Sequence, residues 1–183
     1  MAADPRSPTP VSAVSPASAV SSGSGVSSGS APGAPEVLLV VAGAHLRGQP
    51  LNPQLLALGA RFAEATSTAA AYRMVALDTV PAKPGVVRVP ERGAALAVEV
   101  WALGAAAFGT FVAGLPAPMA IGRVELADGR ELPGFLVEPF ALEGAEDITV
   151  HGGWAAYREA AARPAQEDVP WSDGSGVGNV RHT

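Results

Sequence analysis

The chain has 183 residues, room for one domain of ordinary size, and its apolar fraction of 48% includes only 5% aromatics, so the core is light and rich in alanine. It has no cysteine, which removes disulfides, thiolate nucleophiles and zinc–thiolate sites together and agrees with a reducing cytoplasm. A formal charge of −5 argues against nucleic acid, so an anionic ligand would have to be held by a local group of basic residues.

Residues 1–35 are built almost wholly from Ala, Ser, Pro, Gly and Val and read as a disordered leader, with nothing large to bury beyond the first methionine. Asp4 precedes Arg6, and Pro8, Pro10 and Pro16 interrupt the segment, which argues against a secretory signal. No window reaches the roughly eighteen uninterrupted apolar residues of a membrane span. The run Ser21–Ser30 is similar to the Gly/Ser-rich signature of amidases, but no lysine precedes Lys83, and it reads as a linker. Residues 163–183 are again polar and punctuated by Gly and Pro, which leaves Glu36–Ala162 as the folded unit.

Val37–Val41 has the length and β-branched content of a buried strand, and it breaks into Gly43, Ala44, His45 and Leu46. Gly43 lets the backbone turn so that the N–H groups of Ala44, His45 and Leu46 point at one spot, a nest that favours an anion. His45 is the one side chain of this loop whose charge changes near neutral pH; the alternative is a surface-turn histidine. Asn52-Pro53 opens a helix, with Asn52 as N-cap and Leu55, Leu58 and Phe62 on one stripe. Ala71–Leu77 reads as a strand with Tyr72, Met74 and Ala76 on one face. Asp78–Gly85 is a loop stiffened by Pro81 and Pro84, Val86–Val89 a short strand, and Pro90–Gly93 a turn. Ala94–Leu103 is a strand with Leu96, Val98 and Val100 on one side and Glu99 and Trp101 on the other, expected to pair with Val86–Val89 as a hairpin.

Gly104–Leu115 carries Phe108, Phe111, Val112 and Leu115 at helical spacing, a core stripe. Ile121–Ala127 and Arg130–Glu138 flank Asp128-Gly129, a dipeptide that favours a tight hairpin turn. A helical turn near Ala141–Gly144 and a final helix, Trp154–Ala162, complete the unit. About six strands interrupted irregularly by helices give an α+β class with a mixed or partly closed sheet.

Arg73, Lys83 and Arg88 lie in a stretch whose only acid is Asp78 and are expected to make a local positive pocket; the alternative is solvated surface. Lys83, the only lysine, sits between two prolines, so its ammonium is placed at little entropy cost. Glu99, beside Trp101, either lines a cavity with a raised pKa suited to proton transfer or is the polar side of a half-buried strand. His151, before two glycines, reads as a tight approach to the last helix in preference to a second pocket histidine.

VAGAHLRGQPLN, AYRMVAL, VPAKPGVVRVPERG, VEVWALGAAAFGTFVAGLPAPMAIGRVEL and GAEDITVHGGWAAYRE together resemble the C-terminal domain of allophanate hydrolase over essentially all of Glu36–Ala162. The resemblance implies a γ-glutamylcyclotransferase-like fold, a mixed β-barrel or sheet with a few packed helices. In that family an N-terminal amidase domain, missing from this sequence, hydrolyses allophanate, and the C-terminal domain is implicated in decarboxylating the resulting N-carboxycarbamate. Carried across, the resemblance makes Gly43, Ala44, His45 and Leu46 the substrate-cradling loop, His45 the catalytic histidine, and Tyr72, Lys83 and Arg88 carboxylate-binding residues. Cyclotransferases proper use a glutamate downstream of the helix, where this chain reads LPAPMAIG without a carboxylate, so that activity would need Glu99 in the role.

N-carboxycarbamate carries two carboxylates and leaves a nitrogen to be protonated, tasks that the nest, Lys83 or Arg88, and His45 can share for an acceleration on the order of 10²–10⁴-fold. No metal or organic cofactor is required. The implied partners are a small anionic substrate and an amidase supplied by another chain, with no nucleic acid and no membrane. The competing reading is a non-catalytic module that binds a small ligand or an amidase.

Overall fold

A computed structural model of the protein describes residues 35–163; the leader expected over 1–35 and the tail over 163–183 lie outside them, Pro35 and Arg163 apart. In chain order the described elements are β1 (Glu36–Val41), α1 (Asn52–Ala57), β2 (Arg61–Ser67), β3 (Tyr72–Leu77), β4 (Lys83–Arg88) and β5 (Ala97–Gly104). They continue with α2 (Ala105–Ala113), β6 (Met119–Glu125), β7 (Glu131–Val137), the two-residue β8 (Glu146–Asp147) and α3 (Trp154–Ala162).

The strands make a five-stranded mixed sheet in the order β2-β5-β1-β7-β6 and a three-stranded antiparallel sheet in the order β4-β3-β8. β1 earns its apolar sequence by lying inside the larger sheet, antiparallel to β5 along its length and parallel to β7. The larger sheet begins to close at one corner. There Thr68 bridges Leu126 just past the two edge strands, Ala69 N–H donates to Glu125 O and Ala127 N–H to Ser67 O, each at 2.9 Å. Leu39, Leu55, Met74, Val100, Phe111 and Trp154 bring both sheets and all three helices into one core.

Several elements lie where their sequence pattern puts them. Gly129 adopts φ +85° in the turn between β6 and β7, α2 carries Phe108, Phe111 and Val112 of the expected stripe but ends at Ala113, before Leu115, and α3 spans the residues expected of it. The first helix differs. It ends at Ala57, Leu51 occupies the cap position, and the Asn52 side chain caps nothing but donates from Nδ2 to His45 O at 2.9 Å. Phe62 therefore leaves the helical stripe and belongs to β2, a strand without apolar alternation that exists because β5 offers it a ladder from Arg61 to Ser67.

The expected hairpin between Val86–Val89 and Ala94–Leu103 does not form. β4 starts earlier, at Lys83, and pairs with β3 from Tyr72 to Leu77, while β5 lies between β1 and β2. The connection from β3 to β4 is shorter than that from β4 to β5, so its closure costs less chain entropy. No helix among the described residues is long and apolar enough to cross a membrane.

Candidate functional site

Beyond β1 the chain turns at Gly43, where Leu46 N–H donates to Gly43 O at 2.9 Å. Ala44 and His45 are the central residues of that turn, and their N–H groups donate to no acceptor among the described residues although Ala44 is buried. Buried backbone donors are rarely left unmatched, so these two are open to a ligand. Leu46 leaves the expected nest because its N–H closes the turn, and its side chain packs into the core.

The turn is braced from several directions. Leu51 N–H donates to Ala44 O at 2.8 Å, and Asn52 holds the carbonyl of His45. Behind the turn the Glu99 carboxylate accepts Arg47 N–H at 3.0 Å, Arg47 Nε–H at 2.8 Å and Trp101 Nε1–H at 3.1 Å. Arg47 also lies over the Phe62 ring, 3.7 Å from its centroid. A Cβ on Gly43 would stand 2.4 Å from both Cδ and Cγ of Pro84, so the absence of a side chain is what lets the turn press against β4.

The turn forms one wall of a cavity of about 640 Å³, whose other walls come from α1, the start of β4, α2 and the segment that follows it, and Phe135 of β7. Within it, His45 Nε2 lies 3.0 Å from Gln54 Oε1. Because a carbonyl oxygen only accepts, Nε2 carries the proton and Nδ1 keeps a lone pair. The imidazole stacks on Phe135 at 5.1 Å and meets the edge of Phe111 at 5.2 Å. Burial among these groups pushes the His45 pKa below its ordinary 6.5; the bond to Gln54 opposes that shift and the positive charge of Lys83 adds to it. In the free domain His45 is therefore neutral at pH 7.

Lys83 is the only charged residue in the cavity lining, and its ammonium has no carboxylate partner among the described residues. The positive pocket expected of Arg73, Lys83 and Arg88 contracts to Lys83 alone. Arg73 pairs with Asp147, and Arg88 pairs with Glu125 and Glu131. Arg88 is five residues along β4 from Lys83, roughly 16 Å at strand rise, which places it outside the cavity. Tyr72 is wholly buried in the core, where its hydroxyl oxygen accepts Glu125 N–H at 2.8 Å, and it does not line the cavity. Glu99 lies behind the turn, also outside the lining.

His151 meets the edge of Tyr157 near α3, away from these residues. Gln54, Phe111 and Phe135 are site residues that the sequence did not reveal as such. Phe111 had the signal of a core stripe and does both jobs, whereas nothing local marks Gln54 as the partner of a histidine nine residues earlier. Among the described residues, no three His, Asp or Glu side chains cluster as metal ligands would.

The family model of the allophanate hydrolase C-terminal domain matches residues 37–159. The chain belongs to that family. It is 38% identical over 128 residues to urea amidolyase of Saccharomyces cerevisiae, a match covering 67% of this chain and only 7% of that protein. Its structure is similar to allophanate hydrolase of Kluyveromyces lactis, with a TM-score of 0.67 and 38% identity over 69% of this chain and 22% of the other. A uropathogenic E. coli-specific protein, c4763, gives a TM-score of 0.64 at 38% identity, with 68% of this chain matched to 97% of that one. The fold is thus α+β, a mixed sheet with a few packed helices like those of these two structures, with its larger sheet only partly closed.

Proposed function

We propose that this domain holds a small carboxylate or carbamate anion against the Gly43–His45 turn and Lys83, and that His45 manages the proton when N-carboxycarbamate loses carbon dioxide in urea and allophanate breakdown. The observation that carries the reading is convergence in one cavity. Among the described residues, two unmatched backbone N–H groups, an ammonium with no carboxylate partner and a histidine line it, and no carboxylate does. The relatives named allophanate hydrolase and urea amidolyase support this substrate chemistry, with an amidase as the partner that supplies it.

In the reaction the C–N bond to one carboxylate breaks, its electron pair passes to nitrogen, and nitrogen takes a proton as carbon dioxide leaves. Neutral His45 has no proton on Nδ1 to give. It must first take one up, and an arriving anion favours this by offsetting the charge of Lys83. Nε2 keeps its proton, donated to Gln54 Oε1, so Nδ1 is the nitrogen free to deliver. Cyclotransferase chemistry lacks its carboxylate here: the LPAPMAIG segment brings Leu115, Pro116 and Met119 to the cavity, and Glu99 is engaged by Arg47 and Trp101.

The test couples a purified amidase to this protein and follows carbon dioxide release over roughly pH 5.5–8.5, the range in which a histidine titrates. Wild type should accelerate release, increasingly so as the pH falls, and His45→Asn should keep malonate binding while losing the acceleration. Equal rates for the two proteins would remove His45 from the chemistry. Malonate binding without acceleration at any pH would leave a non-catalytic binding module.

A further inference from the structure

The wall that α1 contributes to the cavity consists of Leu51, Gln54, Ala57 and Leu58, which their spacing puts on one face of the helix. Gln54 is the only polar side chain on that face. Its place relative to His45 is fixed by backbone: Leu51 N–H donates to Ala44 O, Asn52 Nδ2–H to His45 O, and Gln54 N–H to Leu51 O at 3.0 Å, so the start of α1 is fastened to the turn. Gln54 Oε1 accepts the His45 Nε2–H, and the NH₂ group of the same carboxamide has no acceptor among the described residues.

A substrate with two carboxylates needs two sets of donors. The N–H groups of Ala44 and His45 and the Lys83 ammonium can serve one. Tyr72 and Arg88, the other expected carboxylate binders, lie outside the cavity, their polar groups engaged by Glu125 and, for Arg88, Glu131 as well. Of the polar side chains in the lining, Thr110 donates its hydroxyl to Ala106 O at 3.1 Å, and neutral His45 offers the cavity a lone pair on Nδ1. The Gln54 NH₂ group is the side-chain donor that is left. A neutral amide also suits a carboxylate that departs as carbon dioxide, because a cation there would stabilise charge that the step removes.

We propose that Gln54 determines the specificity of this site for dicarboxylates: its Oε1 fixes the His45 imidazole, and its NH₂ group receives the second carboxylate while the turn and Lys83 hold the first. The proposal rests on the reading of the cavity as a carboxylate site and adds the group that tells a dianion from a monoanion. The carboxamide is needed for both tasks. A glutamate at this position would accept the Nε2–H equally well, but it would offer no donor and would repel the anion.

The experiment is calorimetric titration of the full chain with malonate and, separately, acetate at about pH 7.5, where a glutamate side chain is ionised. Wild type should bind malonate more tightly than acetate. Gln54 is exposed, so its variants are expected to fold. Gln54→Leu should weaken malonate about tenfold, the scale of one lost charged hydrogen bond, and leave acetate within about twofold. Gln54→Glu should weaken malonate at least as much, which separates the NH₂ group's part from the holding of the imidazole. By NMR, the His45 titration midpoint should fall in Gln54→Leu, because the bond to Gln54 raises it, and rise in Gln54→Glu beside the new negative charge. Malonate affinity unchanged in either variant would overturn the inference and leave the carboxylate reading of the cavity intact. No binding of malonate or acetate by wild type would overturn both.

Discussion

Two ionisable groups flank the His45 turn, and their surroundings are opposite. On the inner side the Glu99 carboxylate, 9% exposed, accepts three N–H donors from Arg47 and Trp101. On the cavity side the Lys83 ammonium has no carboxylate partner among the described residues. A buried charge with its bonds filled belongs to the frame, because removing it leaves donors stranded; an unfilled charge at a cavity wall is available to a ligand. Residues that shape the site are thereby separated from residues that meet its contents, although both kinds lie close to the same histidine in the fold.

Gly43 offers the harshest way to break the frame. Gly43→Ala places a methyl 2.4 Å from two atoms of the Pro84 ring, which the backbone of β4 holds in place, so unfolding in denaturant should show a loss of about 2–3 kcal/mol. A loss below about 0.5 kcal/mol, the range of an ordinary surface change, would mean that the turn does not depend on that approach.

Glu99 and Lys83 sharpen the contrast when compared directly. Glu99→Gln keeps the shape but turns an NH₂ group toward N–H donors, and should cost about 2 kcal/mol of stability. Lys83→Ala should leave stability within about 0.5 kcal/mol while weakening malonate by tenfold or more, the scale of one lost charged hydrogen bond. Denaturant melts and calorimetry on the same two variants decide it. Comparable destabilisation by both would erase the distinction between frame and site.

The smallest effect is the pH dependence of stability due to His45. Its pKa is below 6.5 in the folded domain, first because of burial, so below 6.5 the unfolded chain binds more protons than the folded one. Its contribution is therefore fully present above 6.5 and is lost as the pH falls through 6.5 toward the folded value. Melts recorded at intervals from roughly pH 5 to 7.5 should show this slope in wild type and a flatter one in His45→Asn; identical slopes would show that the imidazole is not desolvated.

The parts of the fold that were legible from residues alone carry their own signal. The apolar run of β1, the glycine that ends it, the stripe of α2 and the Asp128-Gly129 turn each depend on neighbours within one or two turns of chain. β2 has no such signal. Its sequence, RFAEATS, shows no alternation, and it is a strand because β5, paired with it from Arg61↔Ala102 to Ser67↔Ala97, supplies hydrogen bonds from far along the chain.

The site divides along the same line. Gly43 and His45 are marked by an abrupt change from apolar strand to polar turn, and Lys83 by the prolines around it, so chemistry written into a few adjacent residues sufficed to find them. Alternation likewise put Glu99 and Trp101 on one face of β5, and their side chains do meet there. Whether that face looked into a cavity was a different kind of question. The answers for Glu99, Tyr72 and Arg88, and the arrival of Gln54, Phe111 and Phe135 around the imidazole, depend on which strands pair and in which register. Pairing is fixed by loop closure and burial summed over the whole chain, and a shift of one residue would exchange every face, so no local stretch contains it.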